Sequence, residues 1–390
     1  MMPRPPHVRY VGDGNFWGAH MGDDLPTFIA AAVQAAPVFM DRDATVEKAC
    51  DLIAKAAAAG ARLIVFPETW IPTYPWWIAS AGVFSGHSYA ELWKQAVEVP
   101  SAATASLGAA AEAAGAYVVI GINERDLASR GTLYNTLLSF DPAGNVVHKH
   151  RKLVPTFTER TIWGFGDGSD VQVLDTPLGR LGGLICWEHE VTLAKYALYA
   201  QGEQVHCATW PAYSFQNDHI DFGMRQYAFE GACFVVSACG VRSGALPDEF
   251  GGATVDANGG SAIVGPDGRY LAGPVYDREE ILYAEIDLEA AIREKHARDV
   301  AGHYARPDVF RLVVNAEPKP AIAFVHADGE DGARVAATTE QVVDRLATVR
   351  AYLGSLIDRI EADGDHDANE ALAEALASID MAAAGMWSRE

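Results

Sequence analysis

Residues 182–190 read GGLICWEHE. An apolar run climbs to Cys186 and stops there. An aromatic residue follows, then two acids flanking a histidine (Trp187, Glu188, His189, Glu190). A short apolar run bounded by turn residues is a buried strand. Its terminal cysteine is either one more small hydrophobe of the core or a reactive group that a rigid strand holds up at its end. The run also has a partner. VQVLDT and RLGGLIC flank PLG (177–179), which makes a hairpin.

Working outward, the same signals recur. LYNTLLSF and VVHKHRK flank DPAGN (141–145), and SAIVGPDGRYLAG (261–273) folds back on PDG, giving two more hairpins. FIAAAVQ (28–34), RLIVFPE (62–68), YVVIGIN (117–123), QVHCATW (204–210), FVVSACG (234–240) and ILYAEIDL (281–288) read as strands. Helices are predicted over Ala44–Ala59, within 89–115 and over about 218–231. Hairpins mixed with helices point to a pair of mixed or antiparallel sheets covered by helices. Residues 1–27 form an irregular arm and 28–315 the main domain. Residues 316–390, with the acidic, turn-rich stretches DGEDG (328–332) and ADGDHD (362–367), form an appended tail suited to assembly.

Bulk properties narrow the function. The chain has 390 residues, is 49% hydrophobic and carries a formal net charge of −22, which argues against binding nucleic acid. Five cysteines without C-x-x-C spacing suit free thiols in a reducing compartment. The first residues lack the apolar stretch of a secretory signal, and no run approaches a membrane span, so a cytoplasmic location is expected. There is no G-x-S-x-G, GK[ST], HExxH or strand-following G-x-G-x-x-G. His148 and His150 alternate on a strand and are a conceivable metal pair, but no third ligand is spaced to complete it.

Three stretches place reactive residues just after apolar strands: Glu68 in VFPETW, Lys152 and Glu159 in HKHRKLVPTFTER, and Cys186 in LICWEHE. Singly, each has a plain structural reading: a helix cap, a solvated basic face, a local ion pair, a core thiol. Together they describe a site. A thiol of ordinary pKa about 8.5 needs a base or a neighbouring cation. Glu68 serves as the base, Lys152 and the Trp187 N–H stabilise an anionic intermediate, and Glu159 holds Lys152. The reaction class is acyl or imidoyl transfer to water.

FPETWIPTYPWW (66–77), HRKLVPTFTERTIWGFGDGSD (150–170) and GGLICWEHE resemble, in order and spacing, the three signature blocks of the nitrilase branch of the carbon–nitrogen hydrolase superfamily. The resemblance spans about residues 28–310. It implies an α/β fold of the α+β type, a four-layer αββα sandwich. It implies a homodimer or larger spiral homo-oligomer, no cofactor and no metal. It carries Glu68 over as general base, Lys152 as transition-state stabiliser, Cys186 as nucleophile and Glu159 as supporting acid. The implied substrate is a small organic nitrile, hydrolysed to the acid and ammonia through a thioimidate and a thioester. Cyanide dihydratase and aliphatic amidase are alternatives on the same four residues, and a catalytically inactive scaffold is a third. Two departures bear on substrate range: Thr73 where the family has a small Gly, and EVTL (190–193) where it has an aromatic and Pro-Leu. A carboxylate at Glu190 either favours a polar or cationic nitrile or faces solvent. Tyr74, Trp163, Trp187, His189 and Trp210 are the candidate substrate-binding residues, with Trp76 and Trp77 beside them, although core packing accounts for each equally well. His189 is also placed to support the cysteine loop.

Overall fold

The computed structural model describes residues 25–79 and 86–319. The chain divides into two compact units, Met1–Pro318 and Lys319–Glu390. Most of the N-terminal arm and nearly all of the tail lie outside the described residues.

The elements run β1 (Thr27–Gln34), α1 (Arg42–Ala58), β2 (Ala61–Val65), α2 (Gly86–Gln95), α3 (Ala102–Ala114), β3 (Tyr117–Arg125), β4 (Leu133–Phe140), β5 (Val146–Arg151), β6 (Leu174–Thr176), β7 (Gly179–Ile185), α4 (Thr192–Tyr199), β8 (Val205–Trp210), α5 (Asn217–Gly231), β9 (Phe234–Cys239), β10 (Val241–Ala245), β11 (Thr254–Val264), β12 (Tyr270–Tyr276), β13 (Glu280–Asp287) and α6 (Leu288–Ala297). They build two sheets. One has the order β13-β1-β2-β3-β4-β5. The other has β10-β11-β9-β8-β7-β6, with β12 paired to β11. β1, β2 and β3 are parallel, as are β7, β8 and β9. All three predicted hairpins are paired antiparallel.

Strand alternation sorts the apolar side chains into two cores. In the first sheet Ala30, Ala32, Leu63, Val65 and Val119 face the second sheet. Their neighbours Ala31, Val33, Ile64, Val118 and Ile120 face α1 and α3. Both faces are therefore buried, and these strands read as unbroken apolar runs. Each fully buried Val, Leu or Ile contributes about 1.5–3 kcal/mol. With α4 and α5 on the far face of the second sheet, the order of layers is helix, sheet, sheet, helix.

The helix expected within 89–115 is two helices. The Val97 N–H donates to the Asn123 carbonyl at 2.8 Å and the Val97 carbonyl accepts from the Arg125 N–H at 2.8 Å. The chain thus leaves helical geometry to join β3 by a bridge. Ser101 and Thr104 then cap each other reciprocally to start α3, and Gly115 ends it at φ +57°. The short strand β10 was not anticipated. Among the described residues, no helix is long and apolar enough to cross a membrane.

Candidate active site

The ends of β2, β4, β5 and β7 converge on a buried polar cluster. Lys152 lies just past β5, and its N–H donates to the Asn135 carbonyl of β4 at 2.8 Å. The Lys152 Nζ donates to Glu68 Oε1 at 2.8 Å and to Glu159 Oε2 at 2.7 Å. Asn135 Nδ2 donates to the same Glu68 oxygen at 2.6 Å. The Thr156 N–H and the Tyr74 hydroxyl donate to the two oxygens of Glu159, at 2.7 and 2.8 Å. Glu68 Oε2 is buried and has no protein partner. A carboxylate oxygen of Glu68, one of Glu159 and the Cys186 sulfur lie within 4.8 Å of one another. The structure thus gathers all four predicted residues, each at most 3% exposed.

Burial sets the protonation states. It pushes Glu68 up to about 7, because loss of solvent and the Glu159 charge together outweigh the Lys152 ammonium. The Cys186 thiol is pushed well up, by burial first and the Glu68 charge second, with only partial relief from Lys152. The thiol is therefore neutral at rest, and an adjacent base has to take its proton as sulfur attacks. Burial lowers the Lys152 pKa, but the Glu159 and Glu68 charges outweigh it and hold the ammonium well above its ordinary value. Two acids and a thiol this close are also a conceivable cation site. The Lys152 ammonium, bonded to both carboxylates, already takes the cation's place.

The loops that carry these residues are strained. Thr69, Phe157 and Cys186 have φ of +40°, +45° and +52°, a region that side-chain-bearing residues seldom occupy. The Cys186–Glu190 segment is one tight helical turn. Glu188, which sequence reading passed over, locks it: its carboxylate accepts from the Ile185 N–H at 2.8 Å, the Leu153 N–H at 2.8 Å and His150 Nε2 at 2.9 Å. One buried acid thus ties the cysteine turn to the lysine loop. Burial would raise its pKa, but His150 and the backbone donors hold it below the ordinary range. His150 and His148 also point ring nitrogens at the Asp170 carbonyl, at 3.3 and 3.0 Å. Both rings are thus engaged with the chain's own groups, Asp170 for the pair and Glu188 for His150. Asn135 was passed over too, although an Asn in the apolar run LYNTLLSF was a visible signal.

The aromatic residues separate into groups. Tyr74, Trp76, Trp163 and Tyr213 form one cluster with centroids 4.9–6.0 Å apart. Within it the Trp163 Nε1 donates to Asn123 Oδ1 at 2.9 Å. Trp77 packs on Phe39 and Phe250 in a core. Trp210 stacks on His189 at 4.6 Å, and His189 Nδ1 donates to the Cys186 carbonyl at 2.5 Å. Trp187 is 37% exposed and tilts over His219. Glu190 is exposed, with Oε1 lying against Gly223 of α5. After Glu159 the chain crosses the lysine loop so closely that glycine is required: a Cβ on Gly166 would meet the Arg151 carbonyl oxygen at 2.1 Å.

Residues 29–295 match the carbon-nitrogen hydrolase family model. The chain is 44% identical to the nitrilase blr3397 of Bradyrhizobium diazoefficiens, over 77% of this chain and 96% of that one. It is 44% identical to an aliphatic nitrilase of Sinorhizobium fredii, over 76% and 99% of the two chains. Among solved structures it resembles a carbon-nitrogen hydrolase from Helicobacter pylori, with a TM-score of 0.58 and 21% identity over 70% of this chain and 92% of that one. It also resembles Saccharomyces cerevisiae Nit3, a member of branch 10 of the nitrilase superfamily, with a TM-score of 0.59 and 22% identity over 71% and 96%.

Proposed function

From the premise that this chain belongs to the carbon–nitrogen hydrolase family, we propose that it is a nitrilase that hydrolyses an organic nitrile to the carboxylic acid and ammonia, with Cys186 as nucleophile. The observation that carries the reading is the approach of the Cys186 sulfur and the Glu68 and Glu159 carboxylates around the Lys152 ammonium. Glu68 takes the thiol proton as sulfur attacks the nitrile carbon and passes it to the nitrile nitrogen, which gives a thioimidate and returns Glu68 to the carboxylate. Glu68 then draws a proton from water, which adds to the thioimidate carbon. The tetrahedral adduct expels ammonia and leaves a thioester. A second water, activated by the same carboxylate, releases the acid and restores the thiol. Lys152 and the Trp187 N–H, which faces the sulfur, stabilise the charge built up at each addition. Glu159 holds Lys152 in place, with the Tyr74 hydroxyl and the Thr156 N–H fixing Glu159.

We read the working form as a homodimer or larger homo-oligomer. α4 and α5 pack together, and they expose Leu193 and Phe222 at 64% and 60%, an apolar surface that a second copy would cover. The five free thiols suit a cytoplasmic location.

The test is ammonia release from a panel of nitriles, with cyanide and matching amides included, for the wild type and Cys186→Ala. Release from organic nitriles that disappears in the variant is expected. Release from cyanide alone or amides alone would replace the nitrilase reading with a sister activity, and release that survives the substitution would remove Cys186 from the mechanism.

A further inference from the structure

From the Cys186 carbonyl runs a second line of buried polar groups that the chemistry above does not use. His189 Nδ1 lies 2.5 Å from the Cys186 carbonyl oxygen, and its Nε2 lies 2.9 Å from His206 Nε2. His206 Nδ1 lies 2.7 Å from Glu203 Oε1, and the Tyr227 hydroxyl donates to Glu203 Oε2 at 2.6 Å. His189, His206, Glu203 and Tyr227 are each at most 1% exposed.

The proton positions follow from the partners. A carbonyl oxygen only accepts, so His189 carries its proton on Nδ1. Burial, and next the neighbouring His206, hold His189 well below the ordinary histidine pKa, so the ring is neutral and Nε2 has a lone pair. His206 must therefore donate from Nε2, and its Nδ1 meets the Glu203 carboxylate. From His206 the line has one direction, through His189 to the Cys186 carbonyl. The fold makes room for it: a Cβ on Gly182 would lie 1.9 Å from Glu203 Oε1. The first glycine of GGLICWEHE is there to admit that carboxylate.

The Cys186 carbonyl and the Trp187 N–H belong to one peptide unit. It is trans, hence planar, with the two groups pointing in opposite directions. Whatever fixes the carbonyl fixes the aim of the N–H. We propose that His189 is a positioning residue for the reaction: by clamping the Cys186 carbonyl it aims the Trp187 N–H at the developing anion, and the Glu203–His206 pair holds His189 in the one tautomer that can do so. The clamp also holds Cys186 at its strained φ of +52°. The proposal rests on the reading of Cys186 as nucleophile.

Two reactions of Cys186 separate this role from a merely structural one, with Cys186→Ala as the blank for the other four thiols. Acylation by p-nitrophenyl acetate builds an oxyanion, whereas alkylation by iodoacetamide builds none. His189→Leu is expected to slow acylation by about 10- to 100-fold and to leave alkylation within about threefold. His189→Asn, whose amide N–H can reach the same carbonyl, is expected to restore acylation to within about fivefold of the wild type. Should His189→Leu fail to fold, the double substitution His189→Leu with His206→Leu removes both buried partners together and is expected to show the same selective loss. Equal slowing of both reactions, or failure of His189→Asn to restore acylation, would overturn the proposal. A wild type with no Cys186-dependent acylation would remove the nucleophile reading itself, and the proposal with it.

Discussion

In the proposed reaction Glu68 answers to two opposing demands. Held by Lys152 and Asn135, it must be an anion to accept a proton. Buried beside Glu159, it resists becoming one, and its pKa settles at about 7. An acid whose pKa is raised is protonated, and useless as a base, below that value, so activity is lost on the acid side. The acid limb of kcat/KM is expected near pH 7, and an initial-rate series from about pH 3 to about pH 9 measures it. A limb at the ordinary carboxylate value of about 4.3 would mean that Glu68 is not the group that titrates. Glu68→Gln keeps the shape and removes the base. It is expected to cut kcat by about 100- to 10,000-fold with the thermal midpoint little lowered, since one buried negative charge is removed and the Lys152–Glu159 pair remains. At this scale the sequence was legible for Glu68, Lys152, Glu159 and Cys186, because a reactive residue after an apolar strand leaves a local pattern. Asn135 showed only as a polar residue in an apolar run and Glu188 not at all, because what each does lies in partners 67 and 35 positions away.

Between elements, the joint that matters is the one at the ends of β5 and β7. Neither strand binds the other directly, since β5 is an edge of one sheet and β7 lies near the edge of the other. Glu188 bridges them by accepting from the backbones of Ile185 and Leu153 and from His150. Glu188→Ala is expected to lower stability by about 3–5 kcal/mol, because it leaves a buried histidine and two buried N–H groups without their acceptor. Denaturant melts of the two proteins provide the measurement, and a loss below about 1 kcal/mol would show that the joint is held by other contacts. Hairpins were readable because their turns are encoded within a few residues. The break between α2 and α3 was not, because what breaks the helix is a bridge from Val97 to β3.

Across the whole molecule, apolar surface remains after the two cores are filled. Leu193 and Phe222 stand out from α4 and α5, and exposed large apolar groups on adjoining helices are what a self-association surface needs. Phe222→Glu is expected to shift the protein toward monomer in light scattering behind a sizing column, with Cys186 still alkylated at the wild-type rate. An unchanged mass would place the interface elsewhere.

The sequence by itself determined most of the strands, the three hairpins and the four residues that the structure gathers in one buried cluster. Each of these is written in short stretches, by alternation, turn residues and a reactive side chain at a strand's end. It also determined the family, through three blocks held at fixed spacing. Tertiary structure alone decided which sheet each strand joins, how Glu68 comes to hold a proton near neutrality, and which buried groups line up on the Cys186 carbonyl. These depend on burial and on charges brought together from distant parts of the chain. Desolvation and Coulomb forces act through space, and nothing in the local order of residues records them.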